Sequence, residues 1–377
     1  MQDQSLRQKS KDLLYAAILT LLAFLNFYRG LAPSVTAVFD DSLEFALVVH
    51  RLAIAHPTGY PLYILLGKAF SLFNPHNIAC QLNLMSAAFA ALSVGALYLL
   101  GVSFAPKNDS PTAYRLGSGL GALLFGLGPV FYSQAVIAEV YTLNALFVAL
   151  ILLLTLQKRW LWLAFTFGLS LTHHRSALLL LPAILLYVAA TYGLHCRAGW
   201  KQLWRDISPL KLLIAFAAPL LLYLYLPLRG HVGALEGDYQ NTLGGFWKHV
   251  TGGGYGAFLF GNPFGNERSL GFYLKLMADE LNWWGVGLSI GGVGWLLYDL
   301  RFMIYDLRLT AENVQSAIVN PKSKIQNPKL LLTGTAFLTY LTFNLFYTVT
   351  DIEVFFIPNF LLLALWAGLA LGVIFER

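Results

Sequence analysis

Long apolar runs separated by short polar stretches set the rhythm of this chain. Ten of them recur, at about 12–29, 78–103, 117–136, 141–157, 160–172, 176–194, 210–228, 282–300, 330–348 and 355–375. Most hold few charges over lengths near the roughly 20 residues that a helix needs to cross a bilayer. The runs at 141–157 and 160–172 are short, so either of those helices can be re-entrant. The short alternating segments that mark transmembrane strands do not recur. The pattern predicts an all-α polytopic membrane protein with about ten transmembrane helices in one transmembrane domain, 1–377. Two long connections are left, a first loop at 30–77 and a second at 229–281. Both are rich in Trp, Tyr, Phe and Leu, so they read as folded and functional rather than disordered. The acids and Pro-rich turns of the first loop predict short helices within it. The polar stretch 301–329, with Lys322, Lys324, Gln326, Asn327 and Pro328, reads as a cytoplasmic linker.

Composition agrees with the pattern. Apolar residues make up 57% of the 377 positions and charged residues 12%, where a soluble domain carries roughly 25% charged residues. Lipid must therefore cover much of the surface. The N-terminus places Arg7, Lys9 and Lys11 before an apolar run that ends near Phe27. No small-residue cleavage site closes that run, which favours an uncleaved first helix over a signal peptide. Cys80 and Cys196 show no metal-ligand spacing and no disulfide framework.

The net charge of +6 serves orientation. With the N-terminus cytoplasmic, 17 Lys and Arg fall in inner segments and 8 in outer ones, as the positive-inside rule requires. Nucleic acid need not be invoked. The acids show the complementary pattern: 11 of 19 lie outside, among them Asp40, Asp41, Glu44, Glu139, Asp351 and Glu353.

The first loop carries the densest chemistry. It reads Val38-Phe39-Asp40-Asp41-Ser42-Leu43-Glu44-Phe45, and then Ile54-Ala55-His56-Pro57-Thr58-Gly59-Tyr60-Pro61-Leu62-Tyr63. Asp41 and Glu44 are three apart and share one face of a helical turn. The same spacing fits an N-terminal cap with acids favoured by the helix dipole. His56-Pro57 with Gly59 and Pro61 fixes a stiff turn beyond it.

Together these segments resemble the integral-membrane glycosyltransferases of the GT-C superfamily, which carry an acidic motif in the first extracytoplasmic loop. More narrowly, they resemble a family once known only as a domain of unknown function and now linked to protein O-mannosyltransferases. Its first loop reads approximately Trp-Gly-Asp-Ser-Gly-Glu and then Ala-His-Pro-Pro-Gly-Tyr-Pro-Leu. Asp41, Ser42, Glu44, Ala55, His56, Pro57, Gly59, Tyr60, Pro61 and Leu62 match; Phe39, Asp40, Leu43 and Thr58 depart. The resemblance is strongest over 34–185, continuing through Tyr132-Ser133-Gln134 to Glu139 and through Thr172-His173-His174-Arg175.

The resemblance implies transfer of a sugar, mannose in that family, from a polyprenyl-phosphate donor to a protein, glycan or lipid hydroxyl on the extracytoplasmic face. An inverting transfer to a phosphate leaving group needs one carboxylate base and cations opposite it, unlike the paired carboxylates of glycoside hydrolysis. Asp41 is the expected base, and Glu44, the second expected catalytic residue, is placed to orient the acceptor, to hold Asp41 or to cap the following turn. His56, Tyr60, Glu139, His174, Arg175 and Arg229 are the expected substrate-binding residues. Two adjacent histidines face different sides, so His174 is preferred over His173. No cofactor is expected. Asp40, Asp41 and Glu44 are of the type that ligates a hard divalent cation, but the resemblance implies metal-free catalysis. The bacterial plasma membrane suits the composition, and some relatives carry a soluble C-terminal extension. A multi-pass transporter or flippase of lipid-linked sugar is the chief alternative, and a membrane assembly subunit the next. The discriminating observation is whether Asp41 and Glu139 point into one outward-facing cavity.

Overall fold

The computed structural model describes residues 2–36, 41–106, 111–235, 237–265, 267–311 and 328–377; for 2–7, 260 and 299–311 it describes the backbone alone. Asp40 and most of the linker 301–329, with Lys322, Lys324, Gln326 and Asn327, lie outside the described residues. Among the described residues the structure is helical, with one isolated parallel bridge between Ile54 and Ala234.

The first run forms α1 (Gln2–Arg29), and the first loop folds into two short helices, α2 (Asp41–Arg51) and α3 (Pro61–Ser71). Then follow α4 (Ile78–Val102), α5 (Pro111–Gly126), α6 (Pro129–Ala135), α7 (Tyr141–Leu156) and α8 (Trp160–Leu171). A 3-10 stretch, Arg175–Leu180, leads into α9 (Leu181–Tyr192), and α10 (Arg197–Asp206) connects to α11 (Pro209–Leu220) and α12 (Tyr225–Arg229). The second loop holds α13 (Leu243–Val250), α14 (Gly256–Phe260) and the start of α15 (Leu270–Ala311). The chain closes with α16 (Pro328–Phe346), the single turn α17 (Ile352–Phe355) and α18 (Ile357–Glu376).

Five of the described helices have the length and apolarity of a membrane span: Gln8–Arg29, Ile78–Val102, Arg175–Tyr192, Pro209–Arg229 and Ile357–Glu376. The pair α5 and α6 makes a sixth if it is taken as one broken span. The full ten crossings expected from the apolar runs are therefore not met by length, for local reasons. At 1.5 Å per residue α7 reaches only about 24 Å and α8 about 18 Å, short of the ~30 Å hydrocarbon core. The run at 117–136 breaks by 69° between α5 and α6, where extended Gly128 precedes Pro129 at the first helical position. The new N-terminus is capped from afar: the Glu280 carboxylate accepts from Val130 N at 2.7 Å and Phe131 N at 3.1 Å. The run at 282–300 continues a helix begun in the second loop, with a kink at Asn282 (φ 60°, ψ 156°).

Small residues let the central helices close up. A Cβ on Gly117 of α5 would lie 2.4 Å from the carbonyl oxygen of Gly368 in α18. One on Gly121 would lie 2.6 Å from that of Ala364. Such backbone contact is how spans associate where lipid removes the hydrophobic driving force. The packed centre formed by α4, α5, α7 and α18 carries the two loops on one end.

Candidate active site

The first loop is folded by what it touches. Asp41 opens α2 and Glu44 lies in the same first turn, both favoured by the helix dipole. The Ser42 hydroxyl donates to the Ala138 carbonyl at 3.0 Å, which sets the start of α2 beside the turn that carries Glu139. Beyond α2 the chain turns at Gly59 (φ +80°), where a Cβ would press on Leu226 at 3.2 Å and on the His249 ring at 3.3 Å. Glycine answers both the positive φ and the close approach. Tyr60 also sits in left-handed backbone (φ 42°) before Pro61 starts α3, and its ring packs 5.0 Å from His56 and 6.3 Å from His174.

Glu44 grips His56 twice. It accepts from the His56 backbone N–H at 2.7 Å and meets the ring Nδ1 at 2.5 Å. The other ring nitrogen, Nε2, faces Asp41 Oδ2 at 3.6 Å. The buried imidazole therefore stands between two carboxylates of different standing: the Glu44 side chain is 13% exposed and that of Asp41 47%. Asp41 opens to the cavity, while Glu44 is turned to His56. The three residues offer ligand atoms within 4.8 Å of one another, a donor set that fits a divalent cation, although two of its members are already bonded to each other.

Asp41, His56, Tyr60, Glu139, His174 and Arg175 all line one cavity of about 880 Å³. The adjacent histidines divide as expected. His173 is fully buried with Nε2 donating to the Val140 carbonyl at 2.8 Å, and burial lowers its pKa to about 4. His174 lines the cavity and bonds Ser176 through Nδ1 at 2.8 Å. Burial, with His173, Arg175 and His56 adding to it, lowers its pKa to about 3. His174 is a neutral hydrogen-bonding group at physiological pH and brings no charge to a phosphate. Burial and the neighbouring Asp41 hold the Tyr60 phenol well above its ordinary range, so it stays protonated.

Arg175 is the one guanidinium among the described lining residues. It donates to the Thr251 carbonyl in the second loop, and the next residue, Gly252 (φ +59°), leaves room for it: a Cβ there would meet Nη2 at 2.9 Å. Arg229 is placed elsewhere. Its Nε donates to the Leu52 carbonyl at 2.7 Å and its Nη2 to that of Arg51 at 3.0 Å, so it ties α12 to the end of α2 and is not among the lining residues. Helix α12 and the second loop hold the first loop through three further bonds: Tyr225 Oη to Ala53 O at 2.7 Å, Ile54 N to Gly233 O at 3.1 Å, and His249 Nε2 to Ala55 O at 2.9 Å.

The opposite wall escaped the sequence reading as a site. It comes from the short connection between α16 and α18 and includes Tyr347, Thr350, Asp351 and Glu353. Tyr255 of the second loop joins it. The signal was present in two acids within a six-residue gap between apolar helices, but only the fold brings residue 351 to residue 41.

This architecture defines the class first. The chain shares its fold with solved ArnT from Cupriavidus metallidurans. It superposes on the form bound to undecaprenyl phosphate with a TM-score of 0.60 at 12% identity, covering 95% of this chain and 59% of that one. The apo form gives a TM-score of 0.55 at 11% identity, covering 96% and 59%.

The sequence narrows the likeness. Residues 41–193 match the family model of the protein O-mannosyl-transferase TMEM260 N-terminal domain. The chain is 32% identical over 238 residues to protein O-mannosyl-transferase TMEM260 of Mus musculus, covering 58% of this chain and 31% of that protein. It is 26% identical over 291 residues to the Dictyostelium discoideum protein of the same name, covering 69% and 34%. The chain thus spans about a third of the length of these relatives.

Proposed function

We propose that the chain is a membrane glycosyltransferase that moves a sugar, mannose by the likeness to its relatives, from a polyprenyl-phosphate donor to a hydroxyl of a protein acceptor. The convergence of Asp41, His56, Tyr60, Glu139, His174 and Arg175 on one cavity carries this reading. Asp41 and Glu139 share that cavity, the arrangement expected of a transferase rather than a transporter. The names of the matched relatives and the undecaprenyl phosphate of the ArnT neighbour support the donor and acceptor classes.

In this mechanism the acceptor hydroxyl lies against the open Asp41 carboxylate. Asp41 takes its proton as the oxygen attacks the anomeric carbon. The bond from that carbon to the phosphate oxygen breaks on the opposite side, its electron pair leaving with the phosphate, and the configuration inverts. The leaving group needs charge rather than a proton, and Arg175 supplies it. Glu44 fixes the ring of His56, and His56 fixes Asp41. We assign transfer without a metal, because His56 already occupies Glu44 and a guanidinium stands ready for the phosphate. We also place the cavity on the extracytoplasmic face, on the strength of the charge asymmetry of the loops.

The test is transfer of labelled mannose from polyprenyl-phosphate mannose to membrane protein acceptors by the purified chain, with and without EDTA. Acid-stable label on protein, unchanged by EDTA, is the expected result. No transfer to any acceptor, with the folded chain and intact donor present, overturns the assignment; loss with EDTA alone overturns its metal-free form.

A further inference from the structure

The cavity has a second pole that the proposed chemistry does not use. Opposite Asp41, the connection from Tyr347 through the α17 turn presents Asp351 and Glu353 beside the rings of Tyr347 and Phe355, which pack 5.1 Å apart. The backbone here is pinned from the second loop. Arg268 donates to the carbonyls of Val349 and Thr350, and Thr348 bonds Phe258 through both its N–H at 2.9 Å and its hydroxyl at 2.8 Å.

Two buried amides add independent evidence that a ligand belongs here. Gln134, on α6 against the α17 turn, is 9% exposed and lines the cavity, yet its Oε1 has no hydrogen-bond partner. Asn344, 1% exposed, lines a small neighbouring pocket with Phe355 and Val354. Its Nδ2 donates to Phe355 O at 2.9 Å and Asn359 Oδ1 at 3.0 Å, while its own Oδ1 has no partner. Buried polar atoms left so are rare and costly unless something completes them.

From these we infer a subsite for the neutral, hydroxyl-rich sugar of the donor, formed by Asp351, Glu353 and Gln134 with the rings of Tyr347 and Phe355. The inference rests on the glycosyltransferase reading and deepens it. The pole is rich in acceptors, so its ligand must bring donors. A phosphate at this pole would meet the like charges of Asp351 and Glu353. Sugar hydroxyls donate to carboxylates, and the apolar face of a pyranose lies well on aromatic rings. The position fits as well. Arg175, Tyr347 and Asp351 line the same cavity, so a phosphate on Arg175 leaves its attached sugar within the space that Asp351 faces. Ring contacts then lead back to Asp41 by way of Tyr141, His174, Tyr60 and His56, each pair 5.0–6.3 Å apart.

Binding separates this subsite from the chemistry. The full chain is titrated with a polyprenyl phosphate and with the same lipid bearing mannose, and the ratio of the two affinities is the contribution of the sugar. Wild type binds the mannosyl lipid more tightly. Asp351→Asn with Glu353→Gln reduces that ratio roughly ten- to a hundredfold while leaving the bare lipid phosphate unchanged. Arg175→Gln weakens both lipids alike. An unchanged ratio in a double variant that melts like wild type overturns the subsite, as does a loss confined to a Lys- or Arg-rich acceptor peptide, which would make the pole an acceptor site. The single variant Glu353→Gln, which leaves Asp351 untouched, covers the case in which the double variant does not fold. Should wild type bind neither lipid, the glycosyltransferase reading fails and the subsite falls with it.

Discussion

Replacing Asp41 by Asn separates catalysis from architecture. The change keeps the size of the side chain and its place in the first turn of α2 but removes the proton acceptor. The structure sets the stability side of the comparison. The Asp41 side chain is 47% exposed and its contact with His56 Nε2 is 3.6 Å long, so the pair contributes no more than about 1 kcal/mol. The rate falls by roughly 10²–10⁴, the usual contribution of a general base, or about 2.7–5.5 kcal/mol on the barrier. Glu44→Gln is the informative contrast. It weakens bonds of 2.5 and 2.7 Å to a buried ring and its backbone, and each hydrogen bond to a charged group is worth about 1.5–3 kcal/mol. That variant melts several degrees lower and loses rate through misplacement of His56. Initial rates with labelled polyprenyl-phosphate mannose and melting curves in the same detergent give both quantities. Transfer by Asp41→Asn within threefold of wild type refutes the assignment of the base. Loss of rate in step with a melting drop as large as that of Glu44→Gln refutes the division of roles. Asp40→Asn is the companion control and costs little.

Arg175→Gln raises the KM for donor at least tenfold with little change for acceptor, whereas Arg229→Gln lowers the melting temperature and leaves donor KM near wild type; equal donor effects would return Arg229 to the phosphate site. His173 and His174 are held neutral in the fold, with pKa values near 4 and 3, while the unfolded chain binds these protons near pH 6.5. The unfolded state therefore takes up more protons as pH falls from 6.5, and each histidine removes up to about 1.4 kcal/mol of stability per pH unit. Burial raises the Glu280 carboxyl to about 7, which gives an opposing slope over the same window, so the expected outcome is a difference: between pH 6.5 and 5 the melting temperature of wild type falls relative to that of His173→Gln, and parallel profiles contradict the buried neutral pair. A cysteine at Gly253 reacts with impermeant reagent from outside and one at Ser323 does not, and the reverse pattern moves the cavity to the cytoplasmic face.

Local chemistry decided what could be read from the sequence. Asp41, Glu44, His56 and Tyr60 lie within one loop whose turns are written in Pro and Gly, and that segment folds much as its residues indicate. The division between His173 and His174 follows from adjacent side chains diverging. The bend at Gly128-Pro129 was signalled locally, but its cap comes from Glu280, and no local pattern predicts that partner. Arg229 illustrates the opposite case: a cation at the outer end of a helix suits a phosphate and a loop carbonyl equally, and only the fold brings the Leu52 and Arg51 carbonyls to it. Asp351 and Glu353 were visible as acids, but their shared cavity with Asp41 depends on how α18 returns through the bundle.

The clasp between Arg175 and Thr251 bears on where this molecule can be cut. The segment that matches the family model, 41–193, supplies Asp41 and Arg175, yet the Arg175 guanidinium is held by a carbonyl 58 residues past the end of that segment. The turn at Gly59 leans on Leu226 and His249, and the far wall is built from 343–355. The stretch recognised by sequence is thus half of an enclosure rather than an autonomous unit. Produced by itself it would keep every matched residue and lose the geometry that gives them a common target. Chimeras in this fold therefore have to exchange the second loop together with the first.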